Sequence, residues 1–257
     1  MKTVYGPVSS WRLGRSLGVD LICSKEKICS FNCIYCQLGE PWEKNVQRNN
    51  FVSIKEMESE IVKALKVTTP DVITFSGTGE PTLAKNMDLA IKTIRKISNI
   101  PLAVLTNSTL MNREDVRNAL SKLNIVVAKL DAPNEEIFQR INQPADNITF
   151  NETIDGVKKF KKIFTGKLAL QIMFIYDNMN CVDEMVQLIK NIDPDEVQIN
   201  TPLRICPVKP LTEKQLRIIE NKFKIKGLNT ISVYTSKKPK TTTLDKMELI
   251  KRRRMGV

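Results

Sequence analysis

Cys29-Ser30-Phe31-Asn32-Cys33-Ile34-Tyr35-Cys36 sets three cysteines at spacing C-x3-C-x2-C within eight residues. The chain has six cysteines, and four of them fall between positions 23 and 36. Zinc sites usually present C-x2-C pairs completed by a second pair or by histidines. This chain has no histidine and no second C-x2-C. Three thiolates on one short loop suit a different centre, a four-iron four-sulfur cluster with one iron left without a protein ligand. The open iron is then a docking point for a substrate or cofactor. The competing reading is a set of buried free cysteines packed as small hydrophobes, which this spacing disfavours. A disulfide framework fits less well still. No signal-peptide pattern is present, and thiols this close in sequence read as metal ligands in a reducing cytoplasm.

Upstream, residues 5–22 contain glycines and a proline that break any helix, and Leu17–Ile22 reads as a first strand feeding the cysteine loop. With Tyr35 just before the last cysteine, the loop resembles the signature of the radical S-adenosylmethionine (SAM) superfamily. Over about the first forty residues, YGPVxSxRLGxSLGVD followed by CSxNCxYCQLG resembles the group that includes the archaeal wyosine-forming tRNA enzymes. The resemblance implies a partial (β/α)6 TIM-like barrel that binds ligands at the carboxyl ends of its strands. It implies that Cys29, Cys33 and Cys36 hold a 4Fe–4S cluster whose open iron takes the amino and carboxylate groups of SAM. An external donor such as flavodoxin or ferredoxin would supply the electron that cleaves SAM to methionine and a 5′-deoxyadenosyl radical. Tyr35 would lie against the adenine. The wyosine-forming enzymes carry extra N-terminal cysteines for a second cluster, where this chain has only Cys23. Cys23, Cys181 and Cys206 make a second site only if the fold gathers them.

Downstream, Ser53 and Glu56 have capping-box spacing, and Ile54, Met57, Ile61 and Leu65 recur at helical intervals to about Lys66. Asp71–Phe75 is a buried strand that delivers Ser76-Gly77-Thr78-Gly79-Glu80-Pro81-Thr82. A glycine-rich turn after a strand lets backbone approach a ligand closely. This one resembles the superfamily's Gly-Gly-Glu motif, which implies that Gly77, Thr78, Gly79 and Glu80 contact SAM. The plainer reading makes Glu80 a turn acid capping the next helix. Leu89, Ile91, Ile94 and Ile97 form a second stripe, and Asn112 is expected to cap a helix running through Leu123. The strands Leu102–Leu105 and Ile125–Leu130 end at Thr106-Asn107 and at Asp131. Polar residues past the carboxyl ends of parallel strands are where ligands bind in such sheets. By resemblance, Thr106 and Asn107 lie near the SAM methionine and Asp131 near the ribose. The alternative for Asp131 is an N-cap on the helix Glu135–Ile141. Further strands carry Gln171 and Gln198, two more expected cofactor-site residues. Counting from the strand before the cysteines gives six βα units, an α/β architecture with a parallel sheet.

The chain's formal net charge is +12. Residues 222–257 hold eleven basic and two acidic residues, so most of the excess sits in a C-terminal extension, residues 225–257, beyond a core of residues 1–224. Lys237, Lys238 and Lys240 form one run, and Lys251, Arg252, Arg253 and Arg254 another at the end of a short helix striped by Leu244, Met247 and Ile250. Two runs in one segment favour a phosphate-contacting arm, with tRNA the expected partner, over a solvated helix whose cations suit its macrodipole. The rival is a radical SAM enzyme acting on a protein, peptide or small molecule. An iron–sulfur protein without SAM chemistry is disfavoured by the Gly77–Glu80 loop. No apolar run reaches the ~20 residues a membrane span needs, so a cytoplasmic protein is expected.

Overall fold

The computed structural model describes residues 1–41 and 43–252. Arg253 and Arg254, expected at the basic arm, lie outside the described residues. The frame is an eight-stranded sheet in sequence order. Its strands are β1 Val4–Ser10, β2 Gly14–Val19, β3 Val72–Phe75, β4 Leu102–Thr106, β5 Ile125–Lys129, β6 Lys167–Met173, β7 Glu196–Asn200 and β8 Thr230–Ser232. Pairing from β2 to β8 is parallel, and β1 joins β2 as an antiparallel hairpin. The helices are α1 Ile54–Val67, α2 Met87–Ile97, α3 Glu114–Leu120, α4 Glu135–Asn142, α5 Phe150–Ile163, α6 Val182–Ile192, α7 Glu213–Ile225 and α8 Lys246–Ile250. Six βα units run from β2 to α7 before β8, a partial TIM-like barrel. No helix among the described residues is long and apolar enough to cross a membrane.

Strand alternation separates the two faces of the sheet. Leu168, Leu170 and Ile172 of β6 belong to the main core with the helices, while Leu13, Val72 and Ala103 form a small inner cluster. Met57, Ile61 and Ala64 of α1 and Met87, Ala90, Ile91 and Ile94 of α2 are the buried stripes. Leu89 stands off that stripe and is exposed. Side-chain caps start the helices where the backbone needs acceptors: Ser53 accepts from Glu56 N–H, Asn134 from Ile137 N–H, and Thr149 and Thr212 form full capping boxes.

Three expectations change. The first strand is β2, ending at Val19, and β1 precedes it, because Pro7 and the glycines break helices but not an edge strand. The helix expected from Asn112 is a 3₁₀ turn Thr109–Asn112 followed by α3, and Arg113 holds the N-cap position without a side-chain cap bond. The apolar stripe Leu244, Met247 and Ile250 faces outward, while Glu248 and Arg252 are the buried residues of that segment.

The tail docks along β1. Ser9 Oγ donates to Pro239 O, Leu244 N–H to Gly6 O, and Lys2 N–H to Glu248 Oε2. It runs from the amino-terminal end of the barrel to its mouth. Lys237, Lys238 and Lys240 are therefore separated from Lys251 and Arg252 by the length of β1, about 20 Å at ~3.3 Å per residue.

Candidate active site

The cysteine loop is pinned to the loops after β3 and β4 and to the end of α4. Ile28 N–H donates to Thr78 O and Glu80 N–H to Ile28 O, tying it to the loop after β3. Ser30 Oγ pairs with Thr109 Oγ1 at 2.8 Å and accepts from Asn107 Nδ2 at 2.8 Å, tying it to the loop after β4. Asn32 N–H donates to Gln143 O and Ile34 N–H to Ile141 O, tying it to the end of α4. Phe31 then drives into the core, edge-on to Phe138 at 5.3 Å, and Phe138 meets Phe150 at 5.9 Å. Burying an aromatic ring is worth roughly 1.5–3 kcal/mol, so this one side chain anchors the loop.

Cys29, Cys33 and Cys36 are half-buried free thiols. Burial pushes the Cys29 thiol up to about 12, against the help of Lys27, and raises Cys33. A cluster reverses this, because cationic irons deprotonate coordinating thiols outright. N–H donors already face the sulfurs: Phe31 N–H and Asn107 Nδ2 reach Cys29 Sγ, and Asn142 Nδ2 reaches Cys33 Sγ, each at 3.5 Å. Hydrogen bonds to cluster sulfurs tune an iron–sulfur centre. No three Cys, Asp or Glu among the described residues close round a single ion. Three thiols on one loop, with N–H donors aimed at two of the sulfurs, are the donor set an iron–sulfur cluster takes. The donor set therefore fits the cluster.

The loop after β3 is built around two buried carboxylates. Glu80 Oε1 accepts from Thr82 N–H at 3.0 Å, Thr82 Oγ1 at 2.7 Å and Thr106 Oγ1 at 2.6 Å, and Oε2 accepts from Asn107 N–H at 2.6 Å. Burial raises its pKa, opposed by these same bonds. Glu80 thus caps the 3₁₀ turn Pro81–Leu83 and locks the ends of β3 and β4 together. Asp20, from the end of β2, takes Thr78 N–H and Thr78 Oγ1, each at 3.1 Å. The two glycines are required by close approach. A Cβ on Gly77 would sit 2.0 Å from the Asp20 carboxyl carbon, and one on Gly79 would sit 1.8 Å from Ile28 O. Asp20 closes the stretch YGPVxSxRLGxSLGVD, but spacing alone gave it no role; its place at a strand end is the signal that marks it.

Asp131 gathers the other side. Tyr35 OH donates to its Oδ2, as does Asn142 Nδ2 at 2.8 Å, while Met173 N–H donates to Oδ1 at 2.7 Å. Lys129 Nζ lies 3.4 Å from Oδ2 and 4.8 Å from the centre of the Tyr35 ring. Burial and the Asp131 charge push the Tyr35 phenol well up, so it stays a donor. Asn134 caps α4, so Asp131 has no capping role. Asn142 was not foreseen; it is the last residue of α4, where the sequence marks only the apolar stripe.

Gln171 and Gln198 stand in register on β6 and β7, next to Lys129 on β5. Lys237, Lys238 and Lys240 are exposed at the far end of the barrel, and Lys251 bonds Glu248 Oε1 at 2.7 Å. Arg252 is a correction. It is 4% exposed and donates to Asp20 Oδ2 at 3.1 Å, Glu248 O at 2.9 Å, Glu248 Oε2 at 3.1 Å and Lys2 O, with Tyr5 stacked at 4.3 Å. A guanidinium so enclosed presents nothing to a phosphate. Cys23 donates to Met1 O and Cys206 to Val208 O, so these two thiols look to different neighbours.

The family model for the Radical SAM superfamily matches residues 27–189. A UPF0026 protein of Synechocystis sp. is 40% identical over 207 residues, covering 80% of this chain and 77% of that protein. A Brachyspira hyodysenteriae protein named GTPase Obg is 38% identical over 207 residues, but the chain spans only 30% of its length. Among solved structures, Streptococcus suis SuiB bound to S-adenosylmethionine superposes with TM-score 0.63 at 17% identity, over 83% of this chain and 50% of that one. Archaeal TYW1 gives TM-score 0.59 at 12% identity, over 82% and 72%. These structural likenesses show the shared barrel and do not single out the wyosine-forming group. With the family model spanning most of the chain and a relative aligned across most of both sequences, this chain belongs to the Radical SAM superfamily, among the UPF0026 proteins.

Proposed function

We propose that this radical SAM enzyme holds its 4Fe–4S cluster on Cys29, Cys33 and Cys36, and seats SAM between Tyr35 and the Thr78–Glu80 loop. One observation carries the reading: the three thiols, the Tyr35–Asp131 pair and the Gly77–Glu80 loop converge at the carboxyl ends of β2 to β5. Bound there, the cluster and SAM would supply radical chemistry on the substrate, with the electron coming from an external donor such as flavodoxin or ferredoxin. The chain's own residues position and shield. Asn107 and Asn142 donate to thiol sulfurs, Tyr35 offers a ring face held by Asp131, and Asp20 and Glu80 set the loop. With no histidine, any coupled proton transfer falls to Asp, Glu, Lys, Tyr, Cys or water.

For the substrate, the geometry favours a small molecule or peptide that enters the concave face. Lys237, Lys238 and Lys240 sit at the opposite end of β1 from Lys251 and Arg252, and Arg252 is enclosed, which weighs against a single-face phosphate arm. The barrel interior instead carries a polar row at Lys129, Gln171 and Gln198. The RNA reading retains the exposed Lys237, Lys238 and Lys240. The test is 5′-deoxyadenosine formation by anaerobically reduced protein, with bulk tRNA or with a low-molecular-weight cell filtrate added. Stimulation by the filtrate supports this reading. Stimulation by tRNA alone restores the RNA substrate, and no 5′-deoxyadenosine under any condition sinks both.

A further inference from the structure

Four buried side-chain polar atoms among the described residues lack a hydrogen-bond partner: Arg12 Nε, Asn86 Oδ1, Lys129 Nζ and Gln198 Oε1. Three of these four belong to one place. Lys129, Gln171 and Gln198 are register partners across β5, β6 and β7, so their side chains share a face. Arg12 joins them from the β1–β2 turn, donating from Nη1 to Gln171 Oε1 at 2.6 Å. Its neighbour Leu13 packs on the inner-face residues Val72 and Ala103, which puts the turn inside the barrel. Ser10 Oγ holds the tip by accepting from Arg12 N–H and Leu13 N–H.

The charges in this row are unbalanced. Among the described residues no carboxylate pairs with Arg12. Burial and the like charge of Arg204 lower its pKa to about 10. Lys129 Nζ has Asp131 at 3.4 Å, but that oxygen already accepts from Tyr35 and Asn142. The amide of Gln198 is committed on one side only, with Nε2 donating to Glu196 Oε1 at 2.9 Å. Buried polar groups are normally satisfied, and a set left open together marks what a ligand completes. Two open donors are cationic and the open acceptor is a carbonyl oxygen. They span two strand spacings, about 10 Å.

We propose that the barrel interior beneath the cluster loop is an anchor for a small substrate carrying one oxyanion group and one adjacent O–H or N–H donor. Arg12 and Lys129 take the oxyanion, a carboxylate or a phosphate, and Gln198 Oε1 takes the donor. This names the substrate class of the radical reaction proposed above and rests on that reading.

The test uses fluorescence of Trp11, whose ring lies 5.2 Å from the Arg12 guanidinium. The chain has two tryptophans, so a Trp42→Phe background isolates Trp11. The full-length, cluster-loaded, oxidised protein is titrated anaerobically with inorganic phosphate, with lactate and with potassium chloride at matched ionic strength. A saturable change with phosphate or lactate but not chloride is expected, and whichever probe binds tells a phosphate ester from a hydroxy acid. Affinity should fall at least tenfold in Arg12→Met and in Gln198→Met, with thermal denaturation of each variant as the check against misfolding. Linear titrations, or affinities in both variants equal to that of the wild type, overturn the proposal. So does competitive displacement of the probe by SAM, which assigns the anchor to the cofactor. No reduction or SAM cleavage is involved, so failure here is separable from failure of the radical reaction.

Discussion

Replacing Arg252 by Met separates a structural clasp from a phosphate-binding arm. In the wild type the guanidinium is 4% exposed and reaches Asp20, Glu248 and the Lys2 carbonyl. Its removal leaves Asp20, at 1% exposure, without a cationic partner. Breaking a buried pair from one side costs about 3–5 kcal/mol. Asp20 keeps the N–H groups of Ile22, Cys23 and Thr78 and the Thr78 hydroxyl, which holds the loss near the lower end. A loss of about 3 kcal/mol lowers Tm by roughly 6–12 °C in a domain of this size. The assay is thermal denaturation of wild type, Arg252→Met, Asp20→Asn and the double variant. Coupling through the ion pair predicts that the double variant loses less than the sum of the singles. Because Asp20 also orients Thr78, SAM affinity should fall in Arg252→Met. An unchanged Tm, together with weakened tRNA binding, would refute this reasoning and return Arg252 to the nucleic-acid arm.

The same clasp should open in acid. Burial raises the Glu248 pKa, but bonds from Lys251, the Lys2 N–H and Arg252 outweigh it and set the group at about 2, below its ordinary 4.5. A depressed carboxylate contributes its stability above the unfolded pKa and loses it as pH falls toward the folded one. Urea midpoints should therefore drop between about pH 5 and pH 2, and less so in Glu248→Gln; equal pH profiles would contradict this. Gly79→Ala forces a Cβ to within 1.8 Å of Ile28 O, so the cysteine loop must shift, and iron loading should fall sharply by colorimetric assay. Tyr35→Phe removes the hydroxyl that bonds Asp131 and leaves every thiol in place; SAM affinity should fall about tenfold by calorimetry, the loss expected of one bond to a charged group, with iron content unchanged.

Much of the frame was legible because strands buried on both faces write themselves as short apolar runs. Val72–Phe75, Leu102–Thr106 and Ile125–Lys129 emerge within a residue or two of expectation. The hairpin strand β1 was not legible, since Pro7 and the Gly6 and Gly14 turns mask it. At the site, the residues singled out by motif and by strand end lie together around Cys29, Gly79 and Asp131. What spacing could not convey is which partner each carboxylate takes. Glu80 spends its oxygens on Thr82, Thr106 and Asn107, and Asp20 and Asn142, to which spacing gave no role, complete the loops. The tail misled for a related reason. Charge density along a sequence does not reveal burial, and Arg252 is paired across 232 residues with Asp20.

The central claim is that Cys29, Cys33 and Cys36 hold a four-iron cluster whose fourth iron is open to SAM. Electron paramagnetic resonance of the anaerobically reconstituted, reduced chain, recorded with and without SAM, tests it most directly. The account predicts about four irons per chain, a reduced-cluster signal whose g-values move when SAM is added, and loss of that signal in Cys29→Ala, Cys33→Ala and Cys36→Ala. A signal indifferent to SAM, or a full cluster retained in all three variants, would contradict it.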